Sequence, residues 1–279
     1  EVAEPFLLWD HWLPEPLFAG VEALVRAVGV PFARETGAGD VWLRSTNNLL
    51  SVAALVAVTA SYSAVGGLRG VVRTDLLQLG VMLAATAGFA AWVVAQVGGL
   101  GMQLSGAIAR RFEAGAPGGM SSDELLAFTP WGAPEASLAL LGVLGLQWLV
   151  QMNADGTGYL AQRTMACRTD RDARQAALTF TFVQIGLRSL LWLPLGLGLL
   201  LLFPPDPALP LEALRADREA TFVRGIEALP PGLLGLMLTA MLAALASTID
   251  THLNWGASYW TNDLYERLWR ERWRGRPAS

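Results

Sequence analysis

The 279-residue chain is 53% hydrophobic and 16% charged, with a net charge of −4, where an ordinary soluble domain carries roughly 25% charge. That balance excludes intrinsic disorder and a disulfide scaffold. With 20 arginines, no lysine and 24 acids it leaves no basic face for nucleic acid, and Cys167, His11 and His252 are too few and too scattered for a zinc site. An all-α membrane protein remains.

The chain begins at Glu1 without a signal-peptide pattern, and it reads as a segment of a longer protein. Residues 1–47 are expected outside the cytoplasm. Within them 14–33, carrying Glu15, Glu22 and Arg26, suits an interfacial helix. Apolar stretches of bilayer length, about 20 residues, then predict five transmembrane helices at about 48–67, 74–97, 135–166, 176–203 and 231–265. Residues 266–279 form a basic tail. Five such stretches exceed what a soluble core holds.

Loop charges support that count. Arg69 and Arg73 follow the first helix. Arg163, Arg168, Arg171 and Arg174 outweigh Asp170 and Asp172 after the third, and Arg267, Arg270, Arg272, Arg274 and Arg276 outweigh Glu266 and Glu271 after the fifth. The N-terminal segment, residues 99–134 and residues 204–228 are net negative. Positive charge therefore alternates with negative at each crossing. The positive-inside rule puts the N-terminal segment outside and the tail in the cytoplasm of a multi-pass protein of the plasma (inner) membrane.

Charge at the bilayer centre costs roughly 2.5–3.5 kcal/mol on insertion scales, so polar residues inside these helices mark protein- or water-lined surfaces. Asp75 opens the second helix, where it is either an acid favoured by the helix dipole or a carboxylate on a cation's path. In the third helix Asn153, Asp155 and Thr157, with Gly156 and Gly158, interrupt an apolar run before Tyr159. A broken membrane helix is tolerated where it is buried or lines a cavity, and its freed backbone groups bind ions and solutes. Arg188 shares a face of the fourth helix with Thr181 and Gln184. Such a cation needs an acid, with Asp155 and Asp250 as candidates, and a structural ion pair is the favoured role. On the fifth helix Ser247, Asp250, Thr251, Asn254 and Ser258 form one polar stripe, with Thr248 on its flank and Ala244 one turn before. Hydroxyl and carbonyl oxygens suit hard cations. The plainer reading is that the hydroxyls bond their own i−4 carbonyls.

Three segments resemble the sodium–solute symporters, the family of the sodium–glucose transporters. They are Tyr62…Gly66-Gly67-Leu68…Val71…Thr74-Asp75…Gln78; Gly158-Tyr159-Leu160-Ala161-Gln162-Arg163; and Ala243-Ala244-Leu245-Ala246-Ser247-Thr248 with Leu253-Asn254 and Thr261-Asn262-Asp263-Leu264-Tyr265. The resemblance implies a LeuT-type inverted-repeat bundle of ten core helices, of which this chain carries the fourth to the eighth. The break near Asp155 then falls on the broken sixth helix. The resemblance further implies that Ala244, through its carbonyl, Ser247 and Thr248 bind sodium, and that Asp75 lies on the intracellular sodium route. Asn153, Asp155, Thr157, Tyr159, Asp250 and Asn254 are the candidate solute contacts.

The expected function is sodium-coupled symport of a small organic solute, with sodium as the coupling ion, no other cofactor and no catalytic residues. One alternative is a transporter-like sensory module joined to a cytoplasmic signalling domain. Another, an intramembrane hydrolase using Asp155 and Asp250, is disfavoured because the one Gly-x-Gly-Asp run, 37–40, lies outside the membrane helices.

Overall fold

A computed structural model describes residues 8–33, 40–113, 121–127, 137–154, 158–206 and 209–270. Regular structure among the described residues is helical throughout: α1 Trp9–Trp12, α2 Glu15–Val28, α3 Val41–Gln96, α4 Met102–Arg111, α5 Ser122–Leu125, α6 Leu138–Ala154, α7 Gly158–Met165, α8 Asp170–Thr181, α9 Arg188–Leu202, α10 Leu211–Glu227 and α11 Pro231–Tyr259. A π-helical segment, Phe182–Leu187, joins α8 to α9, and another, Trp260–Arg270, continues α11. The protein is an all-α membrane protein. Three helical stretches, Val41–Gln96, Asp170–Leu202 and Pro231–Trp269, are long and apolar enough to cross a bilayer.

The 56 residues of α3 would reach about 84 Å at 1.5 Å per residue, nearly three times the roughly 30 Å of a hydrocarbon core. The backbone breaks once, at Gly67 (φ 51°, ψ −166°), between arms 41–66 and 68–96. Positive φ there suits a residue without Cβ. Each arm has the length of one pass, so α3 holds the first two expected helices. The arms are longer than expected. Residues 68–73, read as a loop from their arginines, are helical: they contain no proline, Gly70 costs only about 1 kcal/mol, and Val71 is buried. Asp75 therefore sits two turns inside its arm, beyond the first turn where the helix dipole acts, and the dipole explanation for it fails.

The fourth expected helix also begins earlier, at Asp170, where Thr169 caps it. The Thr169 Oγ1 accepts from the Asp172 N–H at 3.2 Å and donates to Asp172 Oδ2 at 2.9 Å. The third expected helix is described as α6 and α7, and residues 155–157 between them lie outside the described residues.

The chain divides into two compact units, Glu1–Met82 with Leu238–Ser279, and Leu83–Met237. In the first, α1 and α2 are tied to the start of α3. Trp9 Nε1 donates to Ser51 Oγ at 2.8 Å, Asn47 Nδ2 donates to Asp10 Oδ1 at 2.8 Å, and the Phe32 N–H donates to Ser45 Oγ at 3.0 Å. Arg26 bridges Glu22 and Asp40, each at 2.6 Å. Gly29 (φ 71°) ends α2, its N–H bonding the Val25 and Arg26 carbonyls.

In the second unit an aromatic cluster packs Phe89 on Phe222 (5.8 Å between ring centres) and Phe222 on Trp192 (5.5 Å). Close backbone approach relies on small residues, as is usual between membrane helices. A Cβ on Gly198 would fall 2.2 Å from Val93 Cγ1, and one on Gly225 2.6 Å from Leu199 Cδ2.

Candidate functional site

The polar stripe on α11 meets the second arm of α3 within the first unit. Ser247 Oγ donates to Asp75 Oδ1 at 2.5 Å. One turn further along, Asp250 is fully buried, and its Oδ2 lies 3.3 Å from the Thr74 hydroxyl. The two pairings, 75 with 247 and 74 with 250, run in opposite senses along the two helices. Antiparallel neighbours are what two helices crossing in opposite directions require.

Sequence separations of 172 and 176 residues are bridged by these contacts. They place Asp75 and Ser247, singled out independently in the sequence, on one polar seam. Thr248 lies on the exposed flank of α11 and donates to the Ala244 carbonyl at 3.0 Å. This is the local i−4 bond expected of an isolated helical threonine. It also sets a hydroxyl and a carbonyl oxygen side by side, both retaining lone pairs. His252 Nδ1 lies 2.7 Å from the Thr248 carbonyl, which occupies that carbonyl and keeps the ring on its own helix. Ser258 bonds the Trp255 carbonyl at 2.7 Å, so the C-terminal end of the stripe is satisfied within the helix.

Among the described residues no three His, Cys, Asp or Glu side chains converge as a metal-binding group. The polar atoms gathered here are hydroxyl, carbonyl and carboxylate oxygens, the hard donors that suit an alkali cation. A recess of 220 Å³ lined by Trp260, Leu264, Tyr265, Leu268 and Trp269 is aromatic and apolar, and it lies along the π-helical continuation of α11 rather than at the seam.

The remaining candidate residues are placed less fully. Asn153 is in the last turn of α6 and Tyr159 in the first turn of α7, while Asp155 and Thr157 lie outside the described residues. Asn254 is half-buried on α11. Arg188 opens α9 directly after the π-helical segment and is exposed. It belongs to the second unit and Asp250 to the first.

Thr74 and Gln78 stand in the resembling segment of the sequence, but reasoning from sequence gave neither a place in the site. Thr74 shares the seam with Asp250, and Gln78, one turn on, has a buried Oε1 with no hydrogen-bond partner. Their i, i+4 spacing beside Asp75 was the available signal.

The model of the family described as "Sodium:solute symporter family" matches residues 43–275. The chain is 27% identical to a sodium/mannose cotransporter of Bos taurus, over 80% of this chain and 39% of the relative. It is 27% identical to sodium/myo-inositol cotransporter 2 of Oryctolagus cuniculus, over 83% and 36%. It is 26% identical to sodium/glucose cotransporter 2 of Rattus norvegicus, over 80% and 36%. The chain thus spans less than two-fifths of the length of these curated relatives. No solved structure matches it.

Proposed function

We propose, from the premise that the chain belongs to the sodium:solute symporter family, that it forms the ion-binding half of a sodium-coupled carrier for a small organic solute. The relatives are named as cotransporters of sodium with mannose, myo-inositol or glucose, which favours transport over catalysis and sodium as coupling ion. The observation that carries the proposal is the Ser247–Asp75 contact at 2.5 Å. It joins a hydroxyl on one apolar helix to a carboxylate on another, where unpaired charge is expensive.

In this mechanism the Ala244 carbonyl and the Ser247 and Thr248 hydroxyls strip water from sodium. Asp75, bonded to Ser247, receives the ion as it leaves toward the cytoplasm. Asn153, Asp155, Thr157 and Tyr159, around the junction of α6 and α7, together with Asn254, contact the solute, and Asp250 borders that set. Arg188 acts as a structural cation that fixes packing. Core helices outside this chain complete both sites in a LeuT-type inverted repeat. Sodium favours one conformation over the other, which is all that coupling requires, and rocking of one helix set against the other exposes the sites alternately. The N-terminal segment, 1–47, faces outward and the tail, 266–279, faces the cytoplasm.

The test is solute uptake into vesicles by the full-length protein under an inward sodium gradient, repeated with potassium replacing sodium. Uptake confined to sodium supports the proposal, and equal uptake in both salts rejects coupling to sodium.

A further inference from the structure

The π-helical continuation of α11, Trp260–Arg270, plays no part in the proposed transport site. Trp260, Leu264, Tyr265, Leu268 and Trp269 recur along it at i, i+4, i+5, i+8 and i+9, a spacing that a helix bonding i to i+5 keeps on one face. The structure gathers all five around the apolar recess of 220 Å³ and leaves each of them exposed. Asp263, Glu266 and Arg267 fall between them and are exposed as well. The segment is therefore amphipathic, and its aromatic face is uncovered among the described residues.

Depth decides what can meet that face. The 29 residues of α11 reach about 43 Å at 1.5 Å per residue, already the roughly 40–45 Å of a bilayer with its headgroup layers. Trp260–Arg270 thus begins at headgroup level and runs beyond it, and a change from α- to π-helix, as at Trp260, is a place where helices kink. Faces that meet another membrane helix rely on small residues, as at Gly198 and Gly225. Bulky Trp and Tyr instead favour the membrane–water boundary. Charge points the same way. From Arg267 to Arg276 the sequence has five arginines against one acid, Glu271, with Trp269 and Trp273 among them.

We infer that Trp260–Arg270, with the arginines after it, docks on anionic lipid headgroups at the bilayer surface. Trp260, Leu264, Tyr265, Leu268 and Trp269 enter the boundary between headgroups and acyl chains, and Arg267, Arg270, Arg272, Arg274 and Arg276 meet lipid phosphates. Apolar burial and attraction to anionic lipid together set the strength of such an interfacial helix, and a cluster of about four to eight basic residues beside a membrane helix suits anionic headgroups. The inference goes beyond the sodium site and takes from the proposed function only the cytoplasmic side of the tail, the leaflet where anionic lipid is concentrated. It gives the helix that carries Ala244, Ser247 and Thr248 a fixed point at the membrane surface.

The experiment places an environment-sensitive fluorophore on Leu268→Cys in the full-length protein, with Cys167 and every other cysteine replaced by serine. The protein is reconstituted into vesicles of phosphatidylcholine alone or mixed with phosphatidylglycerol, symmetric in composition so that sidedness does not enter. Emission should shift to the blue in the mixed vesicles and return as salt is raised. Each arginine replaced should lower the ratio of docked to free segment about fivefold, so Arg267→Gln with Arg270→Gln should lower it roughly 25-fold. Emission that is the same in both lipids overturns the inference, whether the probe is shielded in both, because protein covers the face, or exposed in both. A second measurement needs no variant. Amide exchange of residues 260–270 in the wild type should slow in the mixed vesicles, and unchanged exchange overturns the inference. Neither readout involves sodium, so failure here and failure of the sodium reading are separate results.

Discussion

Removing the Ser247 hydroxyl probes the contact on which the proposed sodium coupling turns. Its Oγ donates to a carboxylate oxygen of Asp75 at 2.5 Å in a part-buried setting. Hydrogen bonds to charged groups contribute roughly 1.5–3 kcal/mol net. In the proposed function both partners serve the same ion, so Ser247→Ala and Asp75→Asn should not act independently. The expected interaction energy in a double-mutant cycle is about 1.5–3 kcal/mol, roughly a 10- to 100-fold change in sodium affinity at about 1.4 kcal/mol per tenfold. The assay is the sodium concentration giving half-maximal solute uptake, measured at fixed membrane potential for the wild type, both single variants and the double variant. Each single variant should raise that concentration by about tenfold or more, and the double variant little beyond the worse single. Shifts that add to within about 0.5 kcal/mol would refute the shared site.

Thr248→Val keeps the shape of the side chain but removes an oxygen, whereas Thr248→Ser keeps the oxygen; sodium affinity should fall about tenfold in the first and hold in the second, and equal affinities would reduce the Thr248–Ala244 bond to a local helix contact. Gly198→Ala and Gly225→Ala each force a methyl into Val93 or Leu199 and should destabilise by about 1–3 kcal/mol. Gly106→Ala, whose Cβ would meet nothing nearer than Arg110 Nη1 at 3.7 Å, should stabilise α4 by about 0.5–1 kcal/mol; thermal unfolding in detergent, followed by tryptophan fluorescence, separates the two outcomes. The Trp42 backbone N–H, with Arg26 also contributing, holds the Asp40 carboxyl below its ordinary value of 3.8. The folded-state value is depressed, so the clamp from α2 to α3 stabilises above the ordinary carboxylate range and is lost as pH falls through the lowered value. Protection of the Trp42 amide, corrected for intrinsic exchange, should drop over that acid range and become independent of pH in Asp40→Asn.

Hydropathy and arginine placement made the helices legible, because a bilayer imposes length and sidedness on sequence directly. Helix limits were less so. Arg69 and Arg73 look like loop residues, yet no proline lies between Leu68 and Arg73, the single Gly70 weakens a helix without ending it, and exposed arginines are tolerated on one. The π-helical turn at Phe182–Leu187 has no marker in composition, since an inserted residue leaves the apolar pattern nearly unchanged. Ser247 and Asp75 stood out as polar atoms in apolar surroundings, but their contact spans 172 residues, and single-chain periodicity carries no information on such pairing. The burial of Asp250 was hidden for the same reason. Its stripe said which face of α11 is polar and left open what that face meets.

Sodium binding to the Ser247→Ala, Thr248→Ala double variant tests the central claim most directly, at sodium concentrations spanning the wild-type affinity and with wild-type thermal stability as the check on folding. Affinity at the Ala244–Thr248 site should fall at least a hundredfold. A folded double variant that binds the full wild-type complement of sodium with unchanged affinity would contradict the claim that these α11 oxygens carry the coupling ion.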